Sequence, residues 1–241
     1  MQVTAEGNTG HASRFIDGTA MEQILGVTSR AMNFRKKQKD LLHDGCHHSG
    51  CSHSVAASHK TLGDVTSLNI TKLHTNSDGS AEAFNVIPAV VQACFDIRLS
   101  PHVEPADMAA EIDMWCREAE EAVSGVPGSG GVRWEFDVNR GMLHATTSTD
   151  IQVNPWWGVF TQCLSNDLGI GVIPMVFPAA TDSRFLRAQG IRAFGFSPIR
   201  RSPVLLHEHD EYLDEEVFLE GCDVYVKLIS VLASQERVTT D

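Results

Sequence analysis

The feature that most constrains the fold is a long run of two-residue alternation between residues 87 and 99. Its apolar positions are Ile87, Ala89, Val91, Ala93, Phe95, Ile97 and Leu99, and its polar positions include Gln92, Asp96 and Arg98. Successive side chains of a β-strand point to opposite faces. The run therefore predicts a long strand with one buried face and one more polar face.

The elements around this strand predict a β-α-β-β-α-β order. They are a strand ending at Val3–Ala5, a helix begun by the Thr19 and Glu22 capping box, a strand over Thr66–Thr71, the strand above, a helix opening at Pro105 and a strand over Val132–Val138. The turn residues 76–79 join the two middle strands as a hairpin. Nothing precedes the first strand to pair with it. This order is the ferredoxin-like arrangement, an antiparallel sheet with two helices on one face.

After about residue 145 the pattern changes to helices and short strands. Asn154 and Pro155 predict a helix start, and a closing helix is predicted over residues 215–233. Two short apolar strands are predicted over residues 172–177 and 191–196, with a helix over 181–188 between them. Alternating strands and helices indicate part of a parallel α/β sheet. Because two strands cannot form such a sheet alone, we expect their partner strands in another segment.

Charge and hydropathy exclude several classes of partner. The chain carries 19 Lys and Arg against 31 Asp and Glu, a formal net charge of -12. Phosphate backbones and anionic bilayers require a basic surface, so neither nucleic acid nor a membrane is expected as a partner. The sequence has no apolar run long enough to cross a bilayer. A small anionic substrate remains compatible, because one well-placed arginine can bind it.

The cysteines and the first residues favour a cytoplasmic protein. Four of the six cysteines stand singly in apolar helix or strand patterns, which indicates buried free thiols rather than a disulfide framework. The opening residues 1–7 contain neither a basic nor an apolar stretch, so they do not predict a signal peptide.

Four segments carry side chains suited to chemistry, and each has a plain structural interpretation. They are Gly10–Phe15, Asn85–Pro88 with Phe95–Arg98, Pro178–Arg184, and Gly195–Pro198 with Leu205–Glu211. Taken singly, they are compatible with a loop histidine, a surface ion pair on a strand, a helix N-cap and a solvated acidic loop. The last segment is nevertheless dense in side chains that can bind metals.

Taken together, in this order and spacing, the segments resemble the aminoacylases of the zinc-dependent M20 amidohydrolase family. The resemblance runs from Val3 to about Ser234 and includes the helix starts Asn154–Trp157 and Asp214–Leu219. It implies a catalytic α/β domain with two Zn2+ ions and an inserted ferredoxin-like dimerisation, or lid, domain. Residues 1–145 match the dimerisation domain, and residues 146–241 match the C-terminal part of the catalytic domain. A homodimer formed through residues 1–145 is implied.

The resemblance also implies a role for each matching residue. His207 matches a zinc ligand. His11 matches the catalytic histidine that the dimerisation domain presents to the neighbouring active site, where it stabilises an oxyanion. Arg98 matches the residue that binds the substrate carboxylate, and the other substrate-binding positions are Asn85, Thr181, Arg184 and Gly195. The implied reaction is hydrolysis of an N-acyl-L-amino acid to the amino acid and a carboxylate.

The family's remaining metal motifs are not found in these 241 residues. The His-x-Asp pair, the bridging Asp and the Glu-Glu pair belong to the family's N-terminal half, and no segment here matches them. We therefore expect this chain alone to be inactive. The alternatives that remain open are a non-catalytic dimerisation module, a truncated M20 relative and a different M20 peptidase.

The tract His43–His53 has the composition of a metal-binding loop. Cys46 and Cys51 are spaced as Cys-x4-Cys, with histidines on both sides. The tract lacks the framing hairpin of a zinc finger, which favours adventitious binding or none. It also makes this connection longer than the usual one in the family.

Overall fold

The computed structural model describes residues 1–42, 60–75, 83–124, 131–136 and 146–236. The chain divides into two compact units, Met1–His144 with Val176–Ala180 and Ala145–Met175 with Thr181–Asp241. The predicted mixed α/β class is confirmed. The turn predicted at residues 76–79 and the tract His43–His53 lie outside the described residues.

The first unit is built around a four-stranded antiparallel sheet. Its elements are β1 (Gln2–Glu6), β2 (Gly10–His11), α1 (Ala20–Asp40), β3 (Ser67–Thr75), β4 (Val86–Ile87), β5 (Val90–Arg98), α2 (Pro105–Ser124) and β6 (Val132–Glu135). The strand order is β3-β5-β1-β6, and β2 and β4 form a separate two-stranded sheet. The longer elements follow each other in the β-α-β-β-α-β order that the hydrophobic pattern predicts.

The first strand, β1, lies in the middle of this sheet. It pairs with β5 on one side, where Glu6 faces Val90, and with β6 on the other, where Ala5 faces Val132. Both partners follow β1 far along the chain. Val3 and Ala5 are fully buried. The central position thus comes from long-range pairing.

The predicted strand over residues 87–99 is divided in two at Pro88. Proline lacks a backbone N–H and cannot donate to a neighbouring strand. The sheet therefore ends β4 at Ile87 and begins β5 at Val90. Within β5, Val91, Ala93 and Phe95 are buried, as the alternation predicts.

Both helices of the first unit contribute apolar side chains to one core with the sheet. Ile24 and Val27 of α1 and Ile112 of α2 are completely buried there. The helices approach closely because small residues face each other. A Cβ added at Gly26 would lie 3.0 Å from the Cβ of Ala119. A larger residue at position 26 would therefore press directly against α2.

The second unit is helical and has its own small core. It contains α3 (Pro155–Gln162), a π-helix (Cys163–Asp167), α4 (Ser183–Ala188) and α5 (Glu215–Ala233). Phe160 and Leu164 pack there against Val224 and Leu228 of α5. The ring of Phe196 meets Phe160 edge-on at 5.3 Å between centroids. These contacts bury the inner face of α5.

The start of α3 differs in detail from the expected cap. Asn154 occupies the N-cap position, but its side chain makes no capping hydrogen bond. Its Nδ2 instead donates to the carbonyl of Ser148 at 2.8 Å. The buried Asn154 therefore fixes the loop that leads into the helix, and Pro155 sets the first turn.

The two strands predicted in the second half are wrong for this structure. No strand occurs over residues 146–236, and the segments 172–177 and 191–196 are irregular. A strand requires backbone pairing with another strand, and among the described residues no strand pairs with these segments. Their apolar side chains remain accessible, with Ile173 84% and Ile191 53% exposed. The apolar pattern is real, but the sheet that it predicts is not formed by these residues.

The prediction of buried free thiols holds for Cys116 and Cys163, whereas Cys94 is half-buried and Cys222 is exposed. The four described cysteines, Cys94, Cys116, Cys163 and Cys222, are free thiols. Burial raises the pKa of the Cys116 thiol to about 12, so this thiol is unreactive at neutral pH. Over the described ranges, no helix has the length and apolar character required to cross a bilayer.

The capping box of α1 generates a stability prediction. The Glu22 backbone N–H donates to Thr19 Oγ1, and the Thr19 backbone N–H donates to the Glu22 carboxylate. Thr19→Ala removes the first of these bonds and should lower the free energy of unfolding by about 1 kcal/mol. Urea denaturation measures this loss, and Thr19→Ser should retain most of the stability.

The same capping box should make stability depend on pH. The hydrogen bond from the Thr19 backbone, followed by that from its side chain, lowers the pKa of Glu22. Glu22 therefore stabilises the folded state above its unfolded pKa, and this contribution is lost as pH falls through the lower folded value. Glu22→Gln should remove this part of the acid dependence, and an unchanged acid dependence would contradict the prediction.

Candidate functional site

His11 is held at one end of the first unit by the β2–β4 pair. His11 faces Val86 across this pair, and the Ala12 backbone N–H donates to the Asn85 carbonyl at 2.9 Å. These backbone contacts bring the side chains of His11 and Asn85 together, with 3.4 Å between His11 Nε2 and Asn85 Nδ2. Two of the predicted site residues therefore meet although 74 positions separate them in sequence.

Ser13 sets the direction of the His11 ring. Its backbone N–H donates to His11 Nδ1 at 3.2 Å, and its Oγ lies 2.7 Å from the same nitrogen. A backbone N–H can only donate, so Nδ1 must present its lone pair. This contact favours the neutral tautomer that has its proton on Nε2. Sequence reasoning gave Ser13 no role, although it stands two residues after the histidine.

The side-chain nitrogens of His11 and Asn85 lie next to each other in the same space. With the proton on Nε2 both nitrogens are donors, whereas in the other tautomer Asn85 Nδ2 donates to Nε2. Both side chains are exposed. The pair can therefore donate to one shared acceptor, such as an oxygen that becomes negatively charged during a reaction.

Arg98 lies at the end of β5, where its guanidinium binds Asp96. Arg98 Nε is 2.8 Å from Asp96 Oδ1, and Arg98 Nη2 donates to Asp96 Oδ2 at 2.9 Å. The predicted surface ion pair is thus present with two contacts. About half of each side chain remains accessible to solvent.

The structure places Arg98 far from the His11–Asn85 pair. Gly7, just after β1, donates its backbone N–H to the Ala89 carbonyl. Because Glu6 pairs with Val90, the chain leading to His11 leaves the sheet beside Val90. Arg98 stands at the opposite end of β5. At about 3.3 Å per residue, about 26 Å of strand separates Val90 from Arg98. One copy of the first unit therefore cannot bring all three residues to one small molecule.

In the second unit, Arg184 has an incompletely satisfied guanidinium. Its Nε is buried and has no hydrogen-bond partner among the described residues, and its Cζ lies 4.7 Å from the centroid of the Phe185 ring. The Arg184 backbone N–H donates to the carbonyl of Thr181, which precedes α4. A buried donor without an acceptor is uncommon in proteins. Such a donor is available to bind an anion.

Gly195 lies between two aromatic residues of the second unit, Phe194 and Phe196. A Cβ added at Gly195 would meet nothing within 4 Å. Within the second unit, local crowding therefore does not require glycine at this position. Its predicted role in lining a substrate pocket stays a prediction.

Arg187 is a second arginine of α4, and its contacts are structural. Arg187 Nη2 donates to the Ala193 carbonyl at 2.8 Å, and Nε donates to Thr147 Oγ1 at 3.1 Å. Thr147 Oγ1 also donates to the Ala193 carbonyl. Arg187 thus ties α4 to two neighbouring loops, which the sequence did not reveal.

His207 occupies an exposed loop with a strained backbone. Its φ is +65°, a conformation that residues other than glycine adopt uncommonly. Its backbone N–H donates to the Glu211 carboxylate at 3.3 Å. Such strain is found frequently at binding sites.

The described residues alone do not fit a zinc pair. Where side chains are described, no group of three or more His, Cys, Asp or Glu residues is arranged to hold a metal ion. His207 supplies a suitable nitrogen ligand, but a catalytic zinc ion needs three protein ligands. A complete metal site would thus need ligands from outside the described residues.

Comparison with known proteins places these observations in a family. The model of Peptidase family M20/M25/M40 matches residues 17–231. The chain belongs to this family. Aminoacylase-1A of Rattus norvegicus is 40% identical over 234 residues, which cover 97% of this chain and 50% of the rat protein. Aminoacylase-1 of Homo sapiens is 39% identical over 241 residues, which cover 100% of this chain and 52% of the human protein.

The M20 chain described here is therefore aminoacylase-1-like, and it spans about half the length of the curated relatives it matches. Solved structures support the fold alone. Aminopeptidase PepT from Bacillus cereus matches with a TM-score of 0.59 at 13% identity, and the match covers 97% of this chain and 51% of the PepT chain. A tripeptidase from Staphylococcus aureus has a TM-score of 0.55 at 14% identity, with 97% and 51% covered.

The contrast between the two arginines of α4 gives a testable prediction. Arg187→Ala leaves the Ala193 carbonyl without its charged donor and should lower the free energy of unfolding by about 2 kcal/mol. Arg184→Ala removes no hydrogen bond of its side chain and should cost less than about 0.5 kcal/mol. Chemical denaturation followed by circular dichroism measures both changes. Equal losses would contradict the separation of structural and binding roles.

Proposed function

We propose that the complete protein to which this chain belongs is a zinc-dependent N-acyl-L-amino-acid amidohydrolase. The observation that carries the proposal is the close approach of His11 and Asn85, whose side-chain nitrogens lie 3.4 Å apart and can donate to one acceptor when the His11 proton is on Nε2. Membership of the M20 family and the aminoacylase-1 relatives support it. The products would be a free amino acid and a carboxylate.

In this proposal, His11 and Asn85 stabilise the oxyanion that forms when the acyl carbonyl is attacked. The oxyanion carries more charge than the ground-state carbonyl, so fixed N–H donors bind the transition state more strongly than the substrate. Ser13 keeps the His11 proton on the nitrogen that faces the substrate. The ring therefore does not need to change its tautomer before the reaction.

The substrate carboxylate would be bound by an arginine. Arg98 offers the planar, permanently charged guanidinium that suits a bidentate carboxylate contact. Thr181, Arg184 and Gly195 are proposed as further substrate-binding residues. The buried, unpartnered Nε of Arg184 supports this assignment.

We further propose that each active site combines residues of two subunits. An N-acyl amino acid is much shorter than the roughly 26 Å of β5 between Val90 and Arg98. His11 and Asn85 of one subunit would therefore act on a substrate whose carboxylate is bound by Arg98 of the neighbouring subunit. Residues 1–145 would form the homodimer contact.

Zinc dependence is part of the proposal for the complete protein only. His207 is proposed as one zinc ligand, because its neutral imidazole is a suitable donor and its neighbour Glu211 could orient it. The other ligands would lie beyond the residues described. The cytoplasm remains the predicted location.

A non-catalytic dimerisation module is the second candidate. The described residues contain no group of three side chains suited to a metal ion, which favours this alternative. Size-exclusion chromatography with light scattering tests the dimer that both candidates require. A monomer at high protein concentration would contradict both.

The catalytic proposal predicts large losses in a completed enzyme. The chain is joined behind the N-terminal half of rat Aminoacylase-1A, and release of the free amino acid from an N-acetyl amino acid is measured. His11→Ala should lower kcat about 10²- to 10³-fold, because it removes an oxyanion donor. His207→Ala should abolish activity and reduce the zinc content. If this joined enzyme keeps its activity with both substitutions, the proposal is wrong.

Mixed dimers test whether the site is shared between subunits. Each homodimer of His11→Ala or His207→Ala should be nearly inactive. When the two are denatured and refolded together, one site of each mixed dimer regains an intact histidine from both subunits, and activity should return. Mixtures that stay as inactive as the separate variants would indicate that His11 acts within its own subunit.

A further inference from the structure

The ion pair between Asp96 and Arg98 leaves one edge of the arginine free. Asp96 binds the guanidinium through Nε and Nη2, with distances of 2.8 and 2.9 Å. The two residues are adjacent on one face of β5, because side chains two positions apart on a strand point the same way. The pair therefore fixes the guanidinium along its Nε–Nη2 edge.

The second edge of the same guanidinium, formed by Nη1 and Nη2, has room for another carboxylate. A guanidinium has five N–H donors, and the pair with Asp96 uses two of them. In the described ranges, the Arg98 side chain makes no hydrogen bond except those with Asp96. Its side chain is 50% exposed. A small carboxylate can thus reach the free edge and bind with two hydrogen bonds.

Folding stability does not account well for this pair. Ion pairs between exposed side chains contribute little to folding, since solvent screens them and two flexible side chains must be ordered. Ordering Arg98 before a ligand arrives nevertheless helps binding, because the ligand no longer has to immobilise a flexible side chain. The geometry therefore suits orientation of the arginine better than stabilisation of the sheet.

We propose that Asp96 is a positioning residue for the binding of the substrate carboxylate. It holds Arg98 by the Nε–Nη2 edge so that the Nη1–Nη2 edge meets the carboxylate of an N-acyl amino acid. This inference rests on the carboxylate-binding role that the proposed function gives to Arg98. Sequence reasoning recognised the ion pair but gave Asp96 no part in substrate binding.

The experiment observes the arginine side chains of the 241-residue chain during a titration. N-acetyl-L-alanine is added to the nitrogen-15-labelled chain, and the N–H resonances of Arg98 are followed by NMR. The Nη resonances should shift while the Nε resonance keeps its position, because Asp96 stays in place. N-acetyl-L-alanine amide, which lacks the carboxylate, should cause no shift.

Three variants make the test specific. Arg98→Ala should abolish the response, and Asp96→Asn should weaken binding about tenfold through the loss of orientation. Glu118→Gln is the matched control, because Glu118 also binds an arginine, with 2.7 Å between Arg30 Nε and Glu118 Oε2, and its side chain is 46% exposed against 44% for Asp96. Binding by Glu118→Gln should equal that of the unmodified chain.

The outcomes separate this inference from the proposed function. Binding that depends on Arg98 but is unchanged in Asp96→Asn would overturn the role of Asp96 and leave that of Arg98. A ligand that shifts the Nε resonance by displacing Asp96 would also overturn the inference. Shifts confined to Arg184, or no response at all, would remove the carboxylate site from Arg98 and the inference with it. The catalytic role of His11 would then still be tested by the activity of His11→Ala in the completed enzyme.

Discussion

The pairing of β1 with two strands from later in the chain is the interaction on which the first unit depends. β5 and β6 meet only through β1, and the buried side chains of Val3 and Ala5 join the sheet to the core beneath the helices. The same strand directs the chain out of the sheet beside Val90. The position of His11 is therefore a consequence of the sheet register. A one-residue slip of β1 would bury its polar face and move His11 away from Asn85.

The two ends of β5 carry different parts of the candidate chemistry. At one end, backbone pairing between β2 and β4 assembles the donors of His11 and Asn85. At the other end, Asp96 orients Arg98 on the open face of the sheet. A rigid strand fixes the distance between the two ends. The fold thus separates these two groups of side chains by more than the length of a small molecule.

Sequence reasoning succeeded where a local pattern determines the structure. The alternation in β5 and the capping box at Thr19 each depend on residues that are close in sequence. It failed for the strands at 172–177 and 191–196, because an apolar pattern shows that a segment requires a partner without showing that the partner exists. It also missed the hydrogen bond from the Ser13 backbone N–H to His11 Nδ1, since such a contact depends on three-dimensional geometry.

The exposed apolar segments of the second unit have a consequence for the protein in the cell. Ile173 and Ile191 are accessible in segments whose composition favours strands. Unpaired apolar segments of this kind are templates for association with other unfolded chains. A molecule made only of these residues is therefore expected to associate through these segments, and its yield in soluble form would measure how strongly it does so.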